Sequence, residues 1–231
     1  MSGDPIAISW SSGKDSMLAL ARARELGYEV VSLVTVVRDD RRVSVHGVRR
    51  ELLRRQADAL GLPLREVLVN ASNPYEKAVS AALADERSNG VAKVCYGDLF
   101  LGDIKKWRDE LHRKIGLECI YPLWERDTQS LAEEFISSGR KAILTCVNTK
   151  QLDMGYAGRA YDSRLLSELP EGVDPCGENG EFHTFVHDGP EFRFPVSFEV
   201  SKPVIREFDD PGHRFTFGFC DLRPAVEAAK G

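Results

Sequence analysis

Two short stretches hold most of the side chains that could do chemistry. Ser11-Ser12-Gly13-Lys14-Asp15-Ser16 is a polar hexapeptide between an apolar run and an amphipathic segment. At a helix start, backbone N–H groups lack helical partners and the helix dipole is positive. Serine and glycine let the chain turn tightly there, and such a turn cradles phosphate. Lys14 adds a mobile positive charge, and Ser16 either caps the helix or offers its hydroxyl to phosphate. A plain helix cap draws on the same residue types, so the hexapeptide alone leaves both uses open. The dinucleotide fingerprint GxGxxG and the Walker A spacing GxxxxGK[ST] are both absent here.

The second stretch is Cys176-Gly177-Glu178-Asn179-Gly180-Glu181-Phe182-His183-Thr184. Gly177 and Gly180 permit backbone geometries closed to other residues. Glu178 and Glu181 are read as exposed, because a buried unpaired carboxylate is expensive. Beside a triphosphate, carboxylates act through Mg2+, which takes one or two of them together with phosphate oxygens. Asp15, Asp98, Glu178 and Glu181 are the candidate contacts, and a solvated acidic turn is the competing reading. Cys176 would need a base to become a nucleophile, with His183 the nearest in sequence; a small buried hydrophobe is the alternative. His46, after a basic loop, either touches substrate or caps a helix. Trp107, Tyr121 and Trp124 read as core or wall aromatics.

The elements that must position these groups follow from periodicity. Ile6–Trp10, Glu29–Val37, Leu64–Val69 and Val91–Tyr96 are short apolar, β-branched-rich runs that predict strands. Between them, Met17–Leu26, Val48–Leu60 and Tyr75–Arg87 repeat apolar residues at helical spacing, with Gly27 and Gly61 as stops and Pro74 as a start. Strand and helix in alternation imply right-handed βαβ units and a parallel, doubly wound sheet. Later, Ile104–Ile115, Thr128–Ser138 and Asp162–Leu169 predict helices, and Lys141–Val147 a buried strand. Phe192–Val200 and Arg214–Phe219 alternate as half-exposed antiparallel strands do. A soft boundary falls near Trp124, giving parts 1–124 and 125–231. No Ser/Gly linker separates them, so they should pack closely.

Lys+Arg total 31 and Asp+Glu 36, a formal charge of -5. That balance argues against binding nucleic acid through bulk charge. No apolar run reaches the roughly 20 residues of a membrane helix, and no signal peptide is evident. The five cysteines form no CxxC pair, so neither a zinc knuckle nor a disulfide framework is indicated. A reduced, cytoplasmic protein is expected, and a homodimer is compatible with everything above.

The hexapeptide after an apolar strand resembles the SGGxDS signature of the PP-loop ATP pyrophosphatases, of the adenine nucleotide alpha-hydrolase-like superfamily. Ser12 stands where that family usually has glycine; serine keeps such a loop if its φ is negative. Tyr96-Gly97-Asp98, Tyr121-Pro122-Leu123-Trp124, the CGENGEFHT block and Asp188-Gly189-Pro190-Glu191-Phe192 resemble the diphthine–ammonia ligase group. The resemblance runs from about Ile6 to Phe192. GENGEFHT in place of a GEGGEYET-like block, and Val45-His46-Gly47-Val48, look more like small bacterial relatives.

The resemblance implies a Rossmann-like α/β fold with a smaller C-terminal α+β part. It implies an AMP-forming amide ligase that adenylates a carboxylate for attack by ammonia. Its cofactors would be ATP and Mg2+. The acceptor would be a small molecule or a protein side chain; membrane and nucleic acid are not expected partners. Ser11, Ser12, Gly13, Lys14, Asp15 and Ser16 would hold the phosphates, and Val34 and Thr35 the adenine. Gly97 and Asp98 would complete the nucleotide site. Lys14, Glu178, Glu181 and His183 would serve catalysis, and Asp15 and Glu178 the metal. His183 would orient the acceptor, donate to a carbonyl or act as a base, with a structural histidine as the alternative. The run Arg38, Asp39, Asp40, Arg41 and Arg42 could close over ATP. An RNA-modifying PP-loop enzyme and a nucleotide sensor without turnover are the rival readings.

Overall fold

The computed structural model describes residues 3–38, 46–210 and 213–225. Five strands, β1 (Pro5–Ser9), β2 (Glu29–Arg38), β3 (Leu64–Val69), β4 (Lys93–Cys95) and β5 (Glu118–Ile120), form a parallel sheet in the order β3-β2-β1-β4-β5. The connecting helices are α1 (Lys14–Glu25), α2 (Arg50–Leu60), α3 (Tyr75–Ser88) and α4 (Gly102–Lys114). The central strand explains its own composition: Ile6, Ala7 and Ile8 are all fully buried, as covered parallel strands require. From β1 the chain winds to β2 and β3 on one side, then crosses to β4 and β5 on the other. The order therefore reverses between β1 and β4, and the crevice beyond their carboxyl ends is where open α/β sheets bind ligands.

The remainder contributes α5 (Thr128–Ser137), β6 (Lys141–Asn148), α6 (Ser163–Glu168), β7 (Phe182–Asp188), β8 (Phe198–Val200), β9 (Val204–Asp210), β10 (His213–Phe219) and β11 (Leu222–Pro224). Four of these strands make an antiparallel sheet in the order β7-β6-β10-β9, and β11 pairs with β8. The expected strand at Phe192–Val200 shrinks to its last three residues, because Pro195 has no N–H for a ladder. The sequence reading committed no strand at β5, β7, β9 or β11. β5 and β7 take their pairing from β4 and β6, and β9 and β11 from β10 and β8.

Residues on both sides of Trp124 meet in one core. Ile8, Leu20 and Leu52 belong to the same buried cluster as Leu144, Phe182 and Phe185. On the other face of the parallel sheet, Val79, Leu83, Val94 and Tyr96 form a second cluster beneath α3. Among the described residues, no helix is long and apolar enough to cross a membrane.

Candidate active site

The loop at residues 11–13 leads directly into α1, whose N-cap is Gly13. The helix begins at Lys14, three residues before its apolar rhythm, so Asp15 and Ser16 lie in the first turn. Ser16 does not cap the helix: its hydroxyl donates to the Gly13 carbonyl at 2.9 Å. Ser12 has φ +73°, so the condition of a negative φ under which serine would fit easily is not met. The serine thus holds a glycine-type, left-handed conformation, which costs of order 1–3 kcal/mol and persists where the surroundings over-determine it.

Those surroundings come from two other elements. The Ser12 carbonyl accepts from Val186 N on β7 at 3.0 Å and from Gln56 Nε2 on α2 at 3.1 Å. Gln56 also donates to the Val186 carbonyl at 2.6 Å and accepts from Trp10 Nε1 at 2.8 Å. Its amide is fully buried and fully used. Lys14 N donates to Thr184 Oγ1 at 3.1 Å, a further tie from the loop to β7. Gly13 is required by close approach, since a Cβ there would lie 2.8 Å from His46 Cε1. Gly97 is required for the same reason: a Cβ would lie 2.7 Å from the Asp15 carbonyl.

Lys14 is not a mobile charge. Its ammonium donates to both Asp15 carboxylate oxygens, at 2.8 and 2.9 Å, and to the Cys176 carbonyl. The residue is buried. Desolvation favours its neutral form, but the charge and hydrogen bonds of Asp15, with the charge of Glu178 nearby, outweigh that and hold its pKa above the ordinary value.

The acidic turn splits into two roles. Glu178 faces the site, and burial together with the Asp15 charge pushes its pKa up to about 7. Glu181 is buried instead of exposed, which corrects the expectation for that residue. Its carboxylate accepts from Asp174 N at 3.0 Å, Asn179 N at 2.8 Å and Asn179 Nδ2 at 3.0 Å. A carboxylate saturated by its own turn is affordable in the interior. Gly177, at φ +71°, lets that turn pass 2.8 Å from the Phe182 carbonyl at the Cβ position.

The His183 and His46 rings lie tilted against each other with centroids 4.6 Å apart, and His46 Nδ1 lies 3.1 Å from the Thr184 carbonyl. Burial lowers both pKa values, most strongly for His183, which also feels His46 and Lys14. Both rings are therefore neutral near pH 7. The Cys176 thiol donates to the Thr128 carbonyl at 3.3 Å, and burial pushes its pKa up to about 12. Its carbonyl, not its sulfur, faces Lys14.

A cavity of about 450 Å³ lies over the carboxyl ends of β1 and β4. Of the expected residues it brings together Ser11, Lys14, Asp15, Ser16, Val34, Gly97, Asp98, Glu178 and His183. Ser12, Gly13, Thr35 and Glu181 stand behind the wall. Thr35 is buried, with its hydroxyl donating to the Trp10 carbonyl at 2.7 Å. Val34, Val36, Val79 and Leu83 make part of the wall apolar, while the 11–16 loop, Asp98 and Glu178 make it polar. Apart from Arg38, the charged run Arg38–Arg42 lies outside the described residues.

Among the described residues, no group of three or more His, Cys, Asp or Glu could hold a metal ion. What a divalent ion would find is the pair Asp15 and Glu178, close enough for one charge to raise the other's pKa. That donor set fits Mg2+ only if phosphate oxygens complete it, which is how Mg2+ is usually bound.

The sequence reading did not single out Arg108 and Thr184, which also line the cavity, or Gln56, which braces the loop. Gln56 carried a signal, as the one amide in the buried rhythm of α2. Thr184 was visible as the last residue of the CGENGEFHT block. Arg108 carried none, being one of several basic residues on α4.

Comparisons with known proteins agree along the chain. Residues 5–119 match the family description Diphthamide synthase N-terminal domain, and residues 127–227 match Diphthamide synthase C-terminal domain. The chain is 27% identical to the diphthine–ammonia ligase of Rattus norvegicus, covering 88% of this chain and 86% of that protein. It is 29% identical to that of Danio rerio, covering 86% and 88% respectively.

Proposed function

The chain belongs to the diphthamide synthase family, and on that premise we propose that it is an ATP-dependent, AMP-forming amide ligase. One observation carries the reading: a single cavity joins the 11–16 loop of the nucleotide-type sheet to Glu178 and His183 from the other half. In this reading residues 1–124 bind the nucleotide and residues 125–231 present the acceptor. The phosphates lie against the 11–16 loop and the first turn of α1, and the adenine meets the apolar wall at Val34. An acceptor carboxylate oxygen attacks the α-phosphorus, and the bond to pyrophosphate breaks. Ammonia then attacks the acyl carbon, AMP leaves, and the nitrogen gives up its extra proton.

His183 is suited to receive or relay that proton, because its imidazole is unprotonated at neutral pH. Asp15 and Glu178 would hold Mg2+ with the phosphates, and the ion would supply charge stabilisation for the departing pyrophosphate. Lys14 orients Asp15 and ties the loop to the Cys176 carbonyl. Glu181 fixes the turn from which Glu178 projects.

The test is product analysis by mass spectrometry, with ATP, ammonium and a panel of carboxylate acceptors that includes a diphthine-bearing protein. AMP and pyrophosphate are expected, with an amide on the acceptor. ADP and phosphate as main products would sink the reading.

A further inference from the structure

We propose that Arg108, and not Lys14, is the side-chain cation that meets the phosphate chain of the bound nucleotide. The inference rests on the nucleotide reading above and adds to it. Two cations line the cavity among the described residues, Lys14 and Arg108. An ammonium has three protons to donate. Those of Lys14 face both Asp15 oxygens and the Cys176 carbonyl, with the Tyr161 and Phe182 rings 5.9 and 5.7 Å from Nζ. Its charge is matched inside the protein, and phosphate would have to displace those partners.

Arg108 is held differently. Its guanidinium lies 4.3 Å from the centroid of the Tyr96 ring and forms an ion pair with Asp98. A guanidinium carries five donors in a rigid fork, so one carboxylate leaves an edge to spare. Arg108 Nε is buried and has no hydrogen-bond partner among the described residues. A buried donor without a partner costs about 1–3 kcal/mol, a cost that an arriving anion removes.

The platform beneath it is rigid. Tyr96 also stacks with Tyr121, at 5.7 Å between centroids. His112 Nδ1 lies 2.7 Å from the Arg108 carbonyl, and His112 Nε2 lies 2.8 Å from the Tyr96 hydroxyl. A carbonyl only accepts, so Nδ1 carries the ring proton and Nε2 accepts from the tyrosine. The tyrosine is thereby pinned to the backbone of the arginine it supports. Gly97 abuts the Asp15 backbone, and its neighbour Asp98 and the paired Arg108 line the same cavity as Asp15 and Ser16 at the start of α1. Arginine forks onto phosphate oxygens at two points, which a side chain already fixed in orientation does at little entropic cost.

Calorimetric titration of ATP, inorganic pyrophosphate and adenosine into wild type, Arg108→Gln and Arg108→Lys tests this, with a melt of each protein. Arg108→Gln should weaken ATP and pyrophosphate roughly 10-fold or more, the scale of a lost charged hydrogen bond, and leave adenosine within about twofold. Arg108→Lys should fall between, since a point charge cannot fork. Unchanged ATP affinity in Arg108→Gln would overturn the inference alone. So would an equal loss for adenosine, which would make Arg108 a shaper of the whole pocket. Wild type that binds none of the three overturns the nucleotide reading, and this inference with it.

Discussion

Replacing Glu181 by glutamine perturbs a turn, not the cavity. The carboxylate accepts three hydrogen bonds, two from backbone N–H groups and one from the Asn179 amide. Hydrogen bonds to a charged group contribute about 1.5–3 kcal/mol each. Glutamine keeps one acceptor oxygen and turns an NH2 toward the remaining donors. At least one of the three bonds is then lost and a buried donor left unpaired, so the cost should be about 3 kcal/mol. For a chain of this length, 1 kcal/mol moves Tm by roughly 2–4 °C, so Tm should fall by roughly 6–12 °C. Glu178→Gln is the matched control. It replaces a carboxylate that pays for its own burial, so Tm should hold or rise. Pyrophosphate release with whichever acceptor yields AMP should drop roughly 100-fold, the scale of one preorganised electrostatic group. Scanning calorimetry and a coupled pyrophosphate assay on both variants decide the matter. A Glu181→Gln protein that melts with wild type yet has lost turnover would refute the assignment of Glu181 to the turn.

Three further outcomes are expected. The pKa of Glu178 in the folded chain, about 7, stands above its ordinary 4.5, so the native state binds the extra proton between those values. The stability of wild type relative to Glu178→Gln should therefore fall as pH rises across that window, because the opposing contribution of the buried histidines is common to both proteins, and paired melts against pH check it. Gly97→Ala places a Cβ 2.7 Å from the Asp15 carbonyl, and overpacking of this kind costs typically 1–3 kcal/mol. ATP titration should show weaker binding in that variant, alongside a lower Tm. Ser12→Gly relieves a left-handed serine whose buried hydroxyl has no partner among the described residues, so Tm should rise by roughly 2–4 °C, and an unchanged or lower Tm would contradict the strain.

The local rules of the chain made one half of the molecule legible. Continuous β-branched runs alternating with amphipathic helices bury both faces of their strands in a parallel sheet covered by helices, and the order β3-β2-β1-β4-β5 is the open, doubly wound form of it. The 11–16 loop was legible for the same reason: small polar residues and a glycine between an apolar run and an amphipathic segment mark a tight strand-to-helix turn, and α1 starts there. The second half was less so. The extents of β5 and β7 are decided by pairing with β4 and β6, each separated from its partner by a helix, that of β9 by its hairpin with β10, and Pro195 broke a run that alternation alone would have extended. Side-chain roles were the least legible of all. Glu178 and Glu181 are the same residue type, three positions apart, yet one faces the cavity and the other is consumed by its own turn. Lys14 carries the charge that the sequence assigns to phosphate, but Asp15 and the Cys176 carbonyl absorb it. Arg108 reached the cavity only because α4 folds back under Tyr96 and Asp98. Composition and spacing determine which groups can exist near one another along the chain. Desolvation and hydrogen-bond partners determine which of them remain free to act, and those are supplied across the fold, by β7 and the turn before it.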